Sequence, residues 1–335
     1  MVKKYLLDLG YSKDEIEKIL KFSSLRNYSK KELINRIKEV YYGFLKLGYN
    51  KKDIISMTVF HPGLFAYNID TLSVKIFELK SLGFDKNAVF YMTKMYSKIF
   101  SLSMVNIENK INDFILLGYK YEEVLKIFKA SPTIFGISMD LINKKIECLI
   151  SLGYSYEQIL SMGKKYPALY SGSLEKFELK LDSICELGHS RENTISLTVR
   201  FPALFGYSID NMKQKIEELM NLGYSYKEVI KMIENFPSLY GLSIDTIREK
   251  KEFYDSIGLG NLLIEKTMMF MQSVELSYAR YMFYKSVGID INEDNYLLLF
   301  SLQERFKKKY GYSNKELVMM YGYNNDIENK VRKKK

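Results

Sequence analysis

A period of 35 residues governs what this chain can become. Glycine preceded by Leu or Ile recurs at Gly48, Gly83, Gly118, Gly153, Gly188, Gly223 and Gly258, every interval being 35. Gly10 precedes the series by 38 residues and Gly288 follows it by 30. All five prolines, Pro62, Pro132, Pro167, Pro202 and Pro237, share one phase, with Ser97 in the remaining slot. Self-similarity at a fixed spacing of this size marks a repeat array whose units bury their apolar faces only by stacking.

Each unit reads as helix, bend, helix. After the glycine usually comes Tyr, then a cap candidate with box spacing, as in Ser155-Tyr-Glu-Gln158 and Ser225-Tyr-Lys-Glu228. Apolar residues follow at helical spacing, Ile159, Met162, Tyr166 and Leu169 in one unit and Val229, Met232, Ile233 and Phe236 in another. Proline disfavours helical geometry in the residue before it, which ends the first helix. It also suits the first position of a helical turn, so Pro202-Ala-Leu-Phe-Gly206 and Pro237-Ser-Leu-Tyr-Gly241 read as single turns. A second helix starts from Asn68, Ser103, Ser138, Ser173, Ser208 or Ser243 and stops at the next glycine, a C-cap.

The expected fold is an all-α superhelical solenoid of about eight such units. Residues 1–47 read as a degenerate capping repeat opened by Ser12-Lys-Asp-Glu15 and Ser29-Lys-Lys-Glu32. Residues 48–257 hold six regular repeats, 258–288 a shortened one, 289–325 a closing helical cap and 326–335 a basic tail. No run of roughly 18–20 apolar residues exists to span a bilayer. Cys148 and Cys185 cannot build a disulfide framework, and no CxxC or HxxxH spacing suggests zinc. The first ten residues resemble neither a signal peptide nor a transit peptide, so the expectation is a soluble intracellular protein in a reducing compartment.

These repeats resemble the mitochondrial transcription termination factor (mTERF) family. The likeness lies in Gly223-Tyr-Ser-Tyr, Asn235-Phe-Pro-Ser-Leu-Tyr-Gly-Leu-Ser243, Lys250 and Ile257-Gly258, and in the closing stretch Tyr296 to Tyr310. It covers nearly the whole chain. The resemblance implies a left-handed solenoid of three-helix repeats that binds double-stranded DNA or structured RNA. It also implies a role in organellar transcription, RNA maturation or ribosome assembly, so a mitochondrial or plastid location stands beside a cytoplasmic one. Two departures bear on function: the first repeat is expected to start almost at Met1 with no targeting peptide visible, and Lys outnumbers Arg 42 to 8. Lysine is a point charge without the bidentate fork of Arg, which favours phosphate holding over base reading. Tetratricopeptide units carry a Trp signature, and this chain has no Trp. Pentatricopeptide units share the period but lack the Pro-x-Leu-Phe-Gly turn.

A net charge of +10 invites an anionic partner, yet residues 48–257 carry 26 basic and 25 acidic groups. Attraction to a polyanion therefore requires segregation of charge. One column supplies a candidate: the position eight before each glycine is Lys75, Lys110, Lys145, Lys180, Lys215 and Lys250, with Arg280 in the shortened unit. Such a row could neutralise successive phosphates with counterion release. It could equally bury its stems and snorkel its ammonium groups to carbonyls at a neighbouring turn. Lys164, Lys165 and Arg200, near the ends of first helices, complete the candidate nucleic-acid-binding set.

Repeat-locked tyrosines, Tyr119, Tyr154, Tyr224, Tyr170 and Tyr240, read as packing residues with a wet hydroxyl rather than base-stacking platforms. His61 and His189 fill slots held elsewhere by Phe or Tyr. Asp140, Asp210 and Asp245 suit helix N-termini. No catalytic set converges, no Gly-rich phosphate loop is present, and no cofactor or metal is expected. The reading is a monomeric, non-catalytic, transcription-regulating protein that binds double-stranded DNA first and RNA second, with a protein-interaction scaffold as the alternative.

Overall fold

The computed structural model describes residues 1–173 and 175–322. The chain is all-helical, with no strand among the described residues, and its helices repeat as a solenoid. It divides into two compact units, Met1–Glu178 and Leu179–Lys335, the division falling within the helix Glu175–Glu186.

Each regular repeat has three helical pieces. In the repeat that opens at Gly118 these are Tyr121–Ala130, the 3₁₀ turn Pro132–Gly136, and Met139–Ser151. Their boundaries follow from local chemistry. Ser155 and Ser225 close capping boxes with Gln158 and Glu228, satisfying free N–H groups at the helix start. Residues preceding the proline leave helical geometry, as Phe201 does at φ −134° and ψ 73°. Tyr96, which precedes Ser97, takes the same shape at φ −143° and ψ 73°. The bend therefore does not depend on proline; Ser97 Oγ instead donates to the Met57 carbonyl at 3.0 Å. Second helices end at glycines with φ between 75° and 105° from Gly48 to Gly258, a left-handed conformation that side chains resist.

In Met1–Glu178 the first helices stack in one row, from Lys13–Lys21 through Lys51–Phe60, Lys86–Met95 and Tyr121–Ala130 to Tyr156–Lys165. Second helices form another row that begins with Lys30–Leu47 against Ile69–Ser81. Apolar side chains such as Ile54, Met57, Leu64, Leu72 and Leu79 fill the space between rows. A buried tyrosine ladder fixes the register. Tyr11 and Tyr49, each following a repeat glycine, hydrogen-bond Thr58 and Thr93 of the next first helix at 2.8 and 2.7 Å. At Tyr119 the threonine slot is Gly163, and the hydroxyl donates to the Leu160 carbonyl at 3.0 Å and meets Tyr170. A Cβ at Gly163 would lie 2.4 Å from that hydroxyl, so the glycine makes room for the rearranged pair.

In Leu179–Lys335 the core runs from Leu197, Leu204 and Met212 through Val229, Leu239 and Ile247 to Phe270, Phe283, Phe306 and Leu317. The shortened repeat has a first helix of only four residues, Leu262–Glu265, then Thr267–Met271 and Val274–Ser286. Gln303–Tyr310 and Asn314–Tyr321 follow, with Asn314–Tyr321 packed on Val274–Ser286. The end of the expected closing cap and the basic tail 326–335 lie outside the described residues. No helix among the described residues is long and apolar enough to cross a membrane.

Candidate nucleic-acid interface

The lysine column turns inward. Lys110 Nζ donates to the Ile137 carbonyl at 2.7 Å, Lys145 to the Tyr170 carbonyl and Lys180 to the Tyr207 carbonyl. Lys250 reaches the carbonyls of Phe270 and, at 2.8 Å, Gln272. Arg280 donates to the Leu299 carbonyl and to Asn314 Oδ1, both at 2.8 Å. Each backbone acceptor lies at or near the end of the following short turn, where carbonyls lack intrahelical partners and a cation is favoured. Lys75 and Lys215 differ because a glutamate stands three residues on, and they pair with Glu78 at 3.1 Å and Glu218 at 2.8 Å.

Burial decides between the two readings of this column. Lys145, Lys250 and Arg280 are 3%, 5% and 1% exposed, and desolvation lowers their pKa values along with those of Lys110 and Lys180. A phosphate cannot reach a buried cation whose protons are already donated to carbonyls. Lys110, Lys145, Lys180, Lys250 and Arg280 instead fasten their repeats to the turn of the next, while Lys75 and Lys215 stay tied to a glutamate of their own helix.

Lys164, Lys165 and Arg200 lie on the surface, at the ends of first helices. Lys164 pairs with Glu123 of the preceding repeat at 3.0 Å. Equivalent residues Lys94 and Lys129 pair with Asp53 and Asp85 at 2.8 and 3.5 Å. Arg200 donates forward to the carbonyls of Glu234 and, at 3.2 Å, Asn235. Lys94, Lys129, Lys164 and Arg200 bridge first helices yet keep a solvated side.

A stronger signal is the division of charge between the rows. In residues 48–257, the first-helix and turn segments hold 14 basic and 8 acidic residues, and the second-helix segments hold 12 and 17. Six of those twelve are the inward column, which leaves six outward cations against seventeen acids on the second-helix row. In Met1–Glu178 the first-helix segments expose Lys51, Lys52, Lys86, Lys98, Lys120, Lys126 and Lys165. A cleft of about 780 Å³ between Lys13–Lys21 and Lys51–Phe60 is lined by Lys18, Lys52 and the exposed ring of Phe60. Summing charge by helix instead of by column would have found this surface in the sequence.

His189 has a carboxylate neighbour. Its Nδ1 lies 3.1 Å from Glu234 Oε1 and its Nε2 3.3 Å from the Tyr240 hydroxyl, and Asn193 donates to the same Glu234 oxygen at 2.8 Å. Burial lowers the histidine pKa more than Glu234 raises it, so the ring is neutral, with Nδ1–H donating and Nε2 accepting. His61 is likewise lowered by burial and sits 3.3 Å from the Ser97 carbonyl. The tyrosine hydroxyls at Tyr119, Tyr170 and Tyr240 are buried in the core and offer no stacking face. No cluster of His, Cys, Asp and Glu among the described residues could hold a metal ion.

Comparison with known proteins agrees with the repeat. The model of the mTERF family matches residues 1–152, 79–221 and 151–257, overlapping windows that together span 1–257. No curated protein matches the chain.

Proposed function

Because the chain belongs to the mTERF family, whose role is nucleic-acid binding, we propose that it is a non-catalytic protein that holds double-stranded DNA along its first-helix row and regulates transcription in the manner of a termination factor. The observation that carries this reading is the separation of charge: exposed lysines on the first helices, carboxylates on the second. Lysine ammonium groups neutralise phosphates and release counterions without reading base edges, so binding is governed by backbone shape and salt.

The experiment is a binding titration at several salt concentrations with wild type and with Lys52→Gln/Lys86→Gln/Lys98→Gln/Lys126→Gln. Each phosphate that the variant leaves unneutralised should reduce the slope of log K against log salt by about 0.9. The melting temperature should stay the same. No retention of duplex at low salt, or an unaltered slope, refutes the proposal.

Structured RNA is the second reading, favoured by one observation. Phe60 and Tyr91 are exposed on the same row as the lysines, at 53% and 44%. Unpaired bases stack on such rings, whereas duplex DNA has none to offer. Tighter binding of a looped RNA than of duplex DNA, lost on Phe60→Ala/Tyr91→Ala, selects RNA.

A further inference from the structure

The outer face of the second-helix row changes character along the chain. The position six before each repeat glycine is Tyr42, Phe77, Asn112, Glu147, Asp182, Glu217 and Glu252, and every one of these is exposed. Packing therefore makes no demand on this position, and four repeats present a carboxylate there. The first two present aromatic rings, Tyr42 at 45% and Phe77 at 72% exposure, with Val74 exposed beside Phe77. The repeats are an internal control: the Phe77 ring is not there for the fold, and Tyr42 meets the Tyr41 ring only along one edge, at 5.5 Å, leaving the rest exposed.

Beside Tyr42 a cleft of about 840 Å³ separates Lys30–Leu47 from the start of Ile69–Ser81. Asn35, Lys38, Tyr42 and Lys46 line it as one helical stripe over about 16 Å, three turns of helix. Leu47 and Ile69 add apolar surface, and Gly43 sets the depth. A Cβ on Gly43 would lie 2.3 Å from the Ile69 side chain, so the missing side chain lets the helices approach. The charge is one-sided. Lys38 and Lys46 are exposed at its rim, while Glu39, its one lining carboxylate, accepts the Ile69 N–H at 3.0 Å.

An apolar trough flanked by two cations eight residues, about 12 Å, apart along the helix matches a particular occupant. We propose that it docks a short amphipathic helix of a partner protein, with aliphatic anchors at i, i+3 or i+4 and i+7 and acidic residues flanking them. The anchors cover Tyr42, Leu47 and Ile69, and the acids meet Lys38 and Lys46. The second-helix row would hold this partner while the first-helix row of the same unit stays open.

Peptide display on the full-length protein tests this, with a random library counter-selected against Tyr42→Glu/Phe77→Glu. That variant installs the carboxylate the later repeats carry, and Phe77→Glu alone, which keeps the Tyr42 edge contact with Tyr41, should keep the wild-type melting temperature. Enriched peptides should be acidic with the stated apolar spacing. Their affinity should fall by about tenfold or more in that variant and in Lys38→Glu/Lys46→Glu, the scale expected for losing an interface anchor. Duplex DNA binding should be unchanged by Tyr42→Glu/Phe77→Glu, which separates this result from the nucleic-acid reading. No enrichment over the variant, enrichment of basic peptides, or a wild-type dimer in light scattering that the variant abolishes overturns the proposal.

Discussion

His189 occupies the slot where other repeats place Tyr or Phe, and its surroundings make it a titrating element of the fold. The folded ring has a pKa below its ordinary value of 6.5, because burial outweighs Glu234. Protons then bind the unfolded chain more readily, so this stabilisation is fully present above pH 6.5 and is lost as pH falls through the folded value. Melting temperatures between pH 7.5 and 5.5 should fall for wild type. They should fall less for His189→Tyr, which restores the residue the repeat uses elsewhere and leaves His61 as the other buried imidazole. Equal slopes for the two proteins would refute the assignment. The slot was visible in the sequence; its carboxylate neighbour, 45 residues on in the next repeat, was not.

At the scale of helices, the inward lysines do what a repeat cannot do for itself. A short 3₁₀ turn leaves carbonyls without partners, and the cation arrives from the preceding second helix. Lys145→Met keeps most of the apolar stem but leaves the Tyr170 carbonyl unpaired, a loss of about 1–3 kcal/mol. Thermal or urea unfolding should report that loss, while the salt slope for duplex binding stays at the wild-type value. A flattened slope with intact stability would return the column to phosphate contact. Helix ends, turns and the period were legible because Ser155, Ser225, the prolines and the repeat glycines act through local backbone chemistry. The direction of a long flexible lysine was not, since a buried stem with a snorkelled head and a solvated charge give the same residue at the same spacing.

Across the whole molecule, charge is distributed unevenly in two senses. Residues 1–178 carry 27 basic and 19 acidic groups, so they hold most of the net +10, and within the repeats the first helices hold the surplus. Lysine acetylation read by mass spectrometry should map this directly. Lys52, Lys86 and Lys126 should react in free protein and be shielded by bound duplex, whereas Lys145 and Lys250 should resist in both states. Shielding confined to the second helices would contradict the proposed face. Net charge per repeat concealed this division, because opposite surpluses on paired helices cancel when summed along the chain.

The fastening by Lys145 and its equivalents has a consequence for how such a chain gains or loses length. Where the lysine reaches a carbonyl, at Lys110, Lys145, Lys180 and Lys250, donor and acceptor belong to different modules, with the lysine upstream and the receiving carbonyl downstream. Excising or duplicating one 35-residue block between matching points therefore recreates a seam with the same chemistry on both sides. Gene-level recombination could lengthen or shorten the array by whole blocks without inventing a new joint, and each newcomer would be free to diversify its outward face.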